Sequence, residues 1–160
     1  MVWGALDPQS DVLYLYSEYS AEADPPMHAA AIRSRGDWIV GLVDPTAHGR
    51  KHEDGYRLME RYASLGLRME WVRNPLEAGI LSGWERMNTG RLKVFSSLTK
   101  YFHGRRLYRR DESNQVISDQ DGLQDALRCL INGISHMSTK PEPPERQPSR
   151  RYQGALGWAR

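Results

Sequence analysis

Six consecutive residues, Trp38 to Val43 ("WIVGLV"), carry no charge, are mostly β-branched or large, and run straight into Asp44-Pro45. A continuous apolar run of this kind fits a strand buried on both faces, in the middle of a parallel or mixed sheet, better than a half-exposed hairpin strand. Proline cannot donate to a ladder, so the strand should stop at about Asp44. In open α/β sheets, ligands bind beyond the carboxyl ends of strands. Asp44 is therefore a candidate site residue, the competing use being a cap for the turn into the next helix.

The rest of the chain supplies partners for such a strand. Val2–Leu6 and Val12–Tyr19 are apolar runs joined by the turn-rich "DPQSD" and read as a hairpin. "PPMHAAAIRSRG" opens on two prolines and closes on Gly36, the pattern of a helix. A second helix is expected from His52 to Leu65, stopped by Gly66, and a short strand over Leu67–Val72. Pro75 opens a third helix that closes at Gly90, before the strand "RLKVF". Leu98 to about Arg106 reads as helical, "NQVIS" as extended, and Gly122 to Met137 as a last helix with Leu123, Leu127, Leu130 and Ile134 on one face. This order predicts a mixed α/β fold, a central sheet flanked by helices.

At 160 residues the chain suits one domain with a real core. No apolar run approaches the roughly 20 residues that span a bilayer, and no secretory signal opens the sequence. Cys129 is the single cysteine, so no intrachain disulfide can form, which suggests a reducing compartment; within an apolar helical pattern it reads as a core residue. The net charge of +2 is unevenly spread. Residues 138–160 hold five Lys/Arg against two Glu, with four prolines, and read as a disordered basic tail beyond a domain of residues 1–137.

Acidic residues also gather in "SDQDGLQDALR". Asp121 and Asp125 are four apart and share a face if helical. Each could simply favour a helix N-terminus. Asp125, however, precedes "ALRCL" and should approach the buried side, where a lone carboxylate is costly. Carboxylates converging from a strand end and a helix start would make a hard oxygen site for Mg²⁺ or Mn²⁺. His48 and His52 are too few for structural zinc, which needs four ligands. "KYFHGRRLYRR" carries five basic residues, Lys100, Arg105, Arg106, Arg109 and Arg110, interleaved with aromatics and free of acids. Such a cluster either holds phosphates and stacks bases or is a solvated face over buried rings.

Together these segments resemble the C-terminal nuclease domain of the phage terminase large subunit, an RNase H-like fold. "VDPTAHGR" is similar to that family's strand-end aspartate segment. "NPLEAGILSGWERMNTGRLKVFSSL" is similar to its "N…EAGI…M.TGRLKVF" stretch. "LYRRDESNQVISDQDGLQDALRCL" is similar to its closing D-H-x-x-D-A-x-R-Y motif, with Gly122 standing where that motif often has histidine. The likeness covers roughly residues 2–137. It implies an RNase H-like mixed sheet and cleavage of double-stranded DNA during genome packaging by Mg²⁺ or Mn²⁺ held on Asp44, Asp121 and Asp125. It also implies DNA contact through Lys100, Arg105, Arg106, Arg109 and Arg110, and work in the host cytoplasm with no membrane.

The family begins with a strand bearing a first essential aspartate, whereas "VWGALD" here resembles the second strand; Asp7 and Asp11 lie in the hairpin turn, the wrong place to replace it. The expectation is therefore an N-terminally truncated fold without its first strand and with impaired cutting. The alternative is a noncatalytic remnant that only binds DNA or packaging partners. Tyr152, Leu156 and Trp158 in the tail would suit docking to the portal protein or the small terminase subunit.

Overall fold

A computed structural model describes residues 1–44, 52–113, 116–117 and 122–142. Strands β1 (Val2–Asp7) and β2 (Val12–Glu18) form the expected hairpin. Its turn is set locally: the Asp7 carboxylate accepts the Gln9 amide at 3.0 Å and the Ser10 hydroxyl, and Asp11 takes a left-handed backbone with φ of 52°. Helix α1 (Pro25–Arg33) follows, then β3 (Gly41–Val43), α2 (His52–Ser64), β4 (Met69–Trp71), α3 (Leu76–Asn88) and β5 (Leu92–Val94). The chain continues through α4 (Thr99–Leu107), β6 (Arg109–Arg110), β7 (Val116–Ile117), α5 (Gly122–Asn132) and a 3-10 turn at Ile134–His136.

The strands form a mixed set. β2 pairs antiparallel with β1 and parallel with β5, with Leu13 opposite Leu92 and Leu15 opposite Val94. β3 and β4 form a separate parallel pair, joined by α2, with Gly41 opposite Met69 and Val43 opposite Trp71. β6 and β7 make a short antiparallel pair. Among the described residues, β1 and β3 are each hydrogen-bonded to a strand on one side only.

Helices cover both faces of the β1–β2–β5 sheet, between which successive side chains of a strand alternate. On one face, Leu13, Leu15 and Leu92 pack with Leu98 and Tyr101 of the α4 region and with Leu123, Leu127 and Ile131 of α5; Val2 and Leu6 border this core. On the other, Trp3 packs with Ala29 and Ile32 of α1 and with Leu67, bordered by Ile39 and Met69. Each fully buried leucine of this kind contributes about 1.5–3 kcal/mol. At Gly4 the helix α5 comes close to β1: a Cβ there would stand 2.5 Å from Leu130 Cδ2.

The run Trp38–Val43 departs from expectation. Only Gly41–Val43 joins a ladder, and the whole run is half-buried, not buried on both faces. The Trp38 carbonyl instead accepts the Ser138 hydroxyl at 3.1 Å, so its backbone serves the chain leaving the last helix. The strand Arg109–Arg110, inside the basic cluster, was not expected at all.

Candidate functional site

Asp44 follows the last residue of β3, and the Val43 carbonyl beside it accepts the Val72 amide at 3.0 Å, which holds the ends of β3 and β4 level. Asp125 lies in the first turn of α5. α5 runs back along these strand ends: a Cβ at Gly133 would meet Leu42 Cδ1 at 2.4 Å and Val72 Cγ2 at 3.0 Å. One turn earlier on the helix is the buried Cys129. Burial first, and then the negative field of Asp44, push its thiol up to about 12; Arg128 opposes the shift and Asp125 adds to it. Asp44 and Asp125 thus act on one buried atom, although 81 positions separate them in sequence. Asp121 lies outside the described residues, as do Asp119 and His48.

Asp125 does not stand alone. Its Oδ1 is 2.7 Å from Nη1 of Arg128, with side chains only 21% and 10% exposed. The same arginine donates through Nε to Asn74 Oδ1 at 3.1 Å, and Asn132 Nδ2 donates to that oxygen at 2.9 Å. Asn74 sits between β4 and α3, so the network ties the acidic turn of α5 to the end of β4. α3 makes room for it at Gly79, where a Cβ would come within 2.3 Å of Arg128 Cγ. Asn74 and Arg128 lie within the quoted motifs, as the asparagine of "N…EAGI" and the arginine of the closing motif, but neither is among the expected site residues. A second signal was the cost of burying Asp125 unpaired, together with an arginine three residues on, a spacing that brings two side chains together on a helix.

The five basic residues divide by location. The Glu18 carboxylate caps α4, accepting the amides of Lys100 at 2.9 Å and Tyr101 at 2.6 Å, an anion placed at the positive end of a helix. Lys100 Nζ donates to the Ser20 carbonyl at 2.9 Å. Arg105 and Arg106 are exposed in the last turn of α4, where cations suit the dipole. Arg109 and Arg110 are exposed on β6. Arg110 grips Glu77 of α3 with both nitrogens, at 3.1 and 2.7 Å, which raises the arginine and lowers the carboxyl away from their usual values. The first turn of α3 therefore carries the partner of Arg110, two residues before the glycine that packs on Arg128. An open cavity of about 860 Å³ lies elsewhere, bordered by Lys100, His103, His28 and Gly122 but by neither Asp44 nor Asp125. Among the described residues, no three His, Cys, Asp or Glu side chains cluster as metal ligands, and no helix is long and apolar enough to cross a membrane.

No family model matches the chain. Over 130 residues it is 28% identical to the terminase large subunit of Salmonella phage P22 and to that of Enterobacteria phage LP7. These matches cover 76% of this chain and 26% and 27% of the two relatives, so the chain spans about a quarter of their length. The solved structure of the P22 large terminase nuclease domain superposes with a TM-score of 0.74 at 27% identity, covering 82% of this chain and 72% of that one.

Proposed function

We propose that this chain, a homologue of phage terminase large subunits with the fold of their nuclease domain, is a metal-dependent endonuclease that cuts double-stranded DNA during genome packaging. The observation that supports the reading is the placing of Asp44 just past the end of β3 and of Asp125 in the first turn of α5, with both charges bearing on the buried Cys129 thiol. The described donors suit Mg²⁺ or Mn²⁺, hard ions that take one or two carboxylates and keep several waters. Asp44 and Asp125 would hold the ion, with Asp121 as the third proposed ligand, and the ion supplies Lewis-acid stabilisation to the phosphodiester being hydrolysed. Arg105, Arg106 and Arg109, with Lys100 and Arg110, are the proposed phosphate contacts, since neutralised phosphates dominate DNA affinity.

In this reading residues 1–137 are the nuclease unit and residues 138–160 a separate segment for the portal protein or the small terminase subunit, in the host cytoplasm. Tyr152, Leu156 and Trp158 lie outside the described residues. The second reading, a domain that binds DNA or packaging partners without cutting, draws on the Asp125–Arg128 pair, which already supplies that carboxylate with a cation. Plasmid cleavage in Mn²⁺ by this chain and by Asp44→Ala separates the two. Cleavage lost on substitution supports the nuclease; absence of cleavage by the unsubstituted chain supports the binding domain; cleavage indifferent to the substitution removes Asp44 from the site.

A further inference from the structure

Asp125 presents its two oxygens unequally: Oδ1 faces Arg128 Nη1 at 2.7 Å. Arg128 has little freedom to withdraw. Its side chain is nearly buried, its Nε is engaged by Asn74, and its Cγ and Cδ lie in the groove left by Gly79. Asn74 is itself fixed from the other side by Asn132. The guanidinium therefore stays on Oδ1, and a cation approaching Asp125 is offered Oδ2.

We propose that Arg128 is a specificity-determining residue that makes Asp125 a one-oxygen donor and so selects small octahedral cations over Ca²⁺. Mg²⁺ and Mn²⁺ favour octahedral oxygen sites, and Mg²⁺ holds its ligands at about 2.0–2.1 Å; Ca²⁺ takes 6–8 oxygens at about 2.3–2.6 Å and often gathers them from carboxylates bound through both atoms. Denying the second oxygen penalises Ca²⁺ more than Mn²⁺. The inference rests on the reading that Asp44 and Asp125 hold a divalent cation. It concerns a ratio, which separates it from plainer roles. Deleting a positive charge tightens two divalent cations alike, and loosening the fold weakens both alike. Only a change in coordination geometry moves one against the other.

The experiment is calorimetric titration of the chain with MnCl₂ and with CaCl₂, for the wild type, Arg128→Met, Asn74→Ala and Asp44→Ala. In Arg128→Met the ratio Kd(Ca)/Kd(Mn) is expected to fall by about tenfold or more, the lower end of what second-shell partners do to metal affinity. An unchanged ratio, with Mn²⁺ still bound in an Asp44-dependent way, overturns the inference and leaves the proposed metal site standing. Absence of Mn²⁺ uptake by the wild type, or uptake indifferent to Asp44→Ala, overturns the site itself and the inference with it. Should Arg128→Met show no cooperative melt, Asn74→Ala carries the test: it keeps the guanidinium but removes its Nε anchor. The ratio must then fall in the same direction, and no fall overturns the inference.

Discussion

Two glycines four residues apart on α3, Gly79 and Gly83, should respond to alanine with opposite signs. Both are buried against α5. Replacing a helical glycine with alanine ordinarily stabilises by about 1 kcal/mol through helix propensity. At Gly83 nothing opposes that gain, because the nearest atom to a new Cβ is Ile131 Cδ1 at 3.5 Å, an ordinary contact. At Gly79 the Cβ would sit 2.3 Å from Arg128 Cγ, 2.5 Å from its Cδ and 3.0 Å from Asn132 Nδ2. These are mid-stem atoms of a side chain fastened at its far end to Asp125 and Asn74, so they cannot swing aside without breaking those bonds. Overpacking of this kind costs about 1–3 kcal/mol, which leaves a net loss of about 1 kcal/mol after the propensity gain. At about 4 °C per kcal/mol for a domain of this size, Gly83→Ala should raise Tm by about 4 °C and Gly79→Ala lower it by a similar amount. Thermal denaturation followed by circular dichroism reads both. A Gly79→Ala variant as stable as Gly83→Ala would refute the packing of Arg128 into α3, and with it the fixed guanidinium that the cation selectivity requires.

Cys129, with its thiol pushed up to about 12, should be nearly unreactive in the folded protein at pH 8, where about one part in ten thousand is thiolate; rapid stoichiometric reaction with a disulfide reagent in the absence of denaturant would contradict its placement. Because folding raises this pKa above 9.0, the stability it contributes is fully present below about pH 9 and is lost as pH climbs toward 12, so alkaline urea melts of Cys129→Ala should decline less than those of the wild type. Asp11 holds Arg86 at 3.0 Å and Arg91 at 2.9 Å, and the Arg86 hydrogen bond chiefly lowers its carboxyl below the usual range; Asp11→Asn should melt lower at neutral pH and lose less on acidification, since that stability is present above the ordinary carboxyl pKa and disappears as pH falls through the folded value. Replacing Arg105 and Arg106 with alanine should weaken duplex DNA binding evenly across sequences and flatten its salt dependence, measured by fluorescence anisotropy from low to moderate salt; an unaltered slope would make the end of α4 a plain solvated face.

What could be read along the chain was whatever local physics decides. The hairpin follows from two apolar runs and from an Asp-Pro turn whose carboxylate binds its own loop. The helix ends follow from Gly36, Gly66 and Gly90, which adopt φ of 135°, 80° and 71° just past α1, α2 and α3. The run Trp38–Val43 shows where such reading overreaches. Apolar composition reports that a segment avoids water, not that its backbone is in a ladder, and here Trp38 and Ile39 serve packing and a contact to Ser138 while three residues pair. β6 leaves no mark in the sequence because two exposed arginines show no alternation; their pairing partners, Val116 and Ile117, lie beyond a turn.

The candidate site was legible as a set of acids, not as a network. Asp44 announces itself by ending a strand, and Asp125 by its cost. The groups that govern them come from far away in sequence: Asn74 reaches Arg128 across 54 residues and Asn132 across 58. Arg110 meets Glu77 across 33, and Asp11 meets Arg91 across 80. Polar partners at such separations leave no periodic trace, because an asparagine or arginine is locally at ease in many conformations and becomes committed only when the fold supplies its counterpart. The penalty for an unpaired buried charge, in contrast, is a property of the residue's own surroundings and can be read in advance. A buried acid met in a sequence is therefore best taken as a demand for a partner, to be sought first one helical turn away. Here that search leads from Asp125 to Arg128, whose Nε leads on to Asn74 beyond the end of β4 and whose aliphatic stem lies against the glycine that lets α3 close over it.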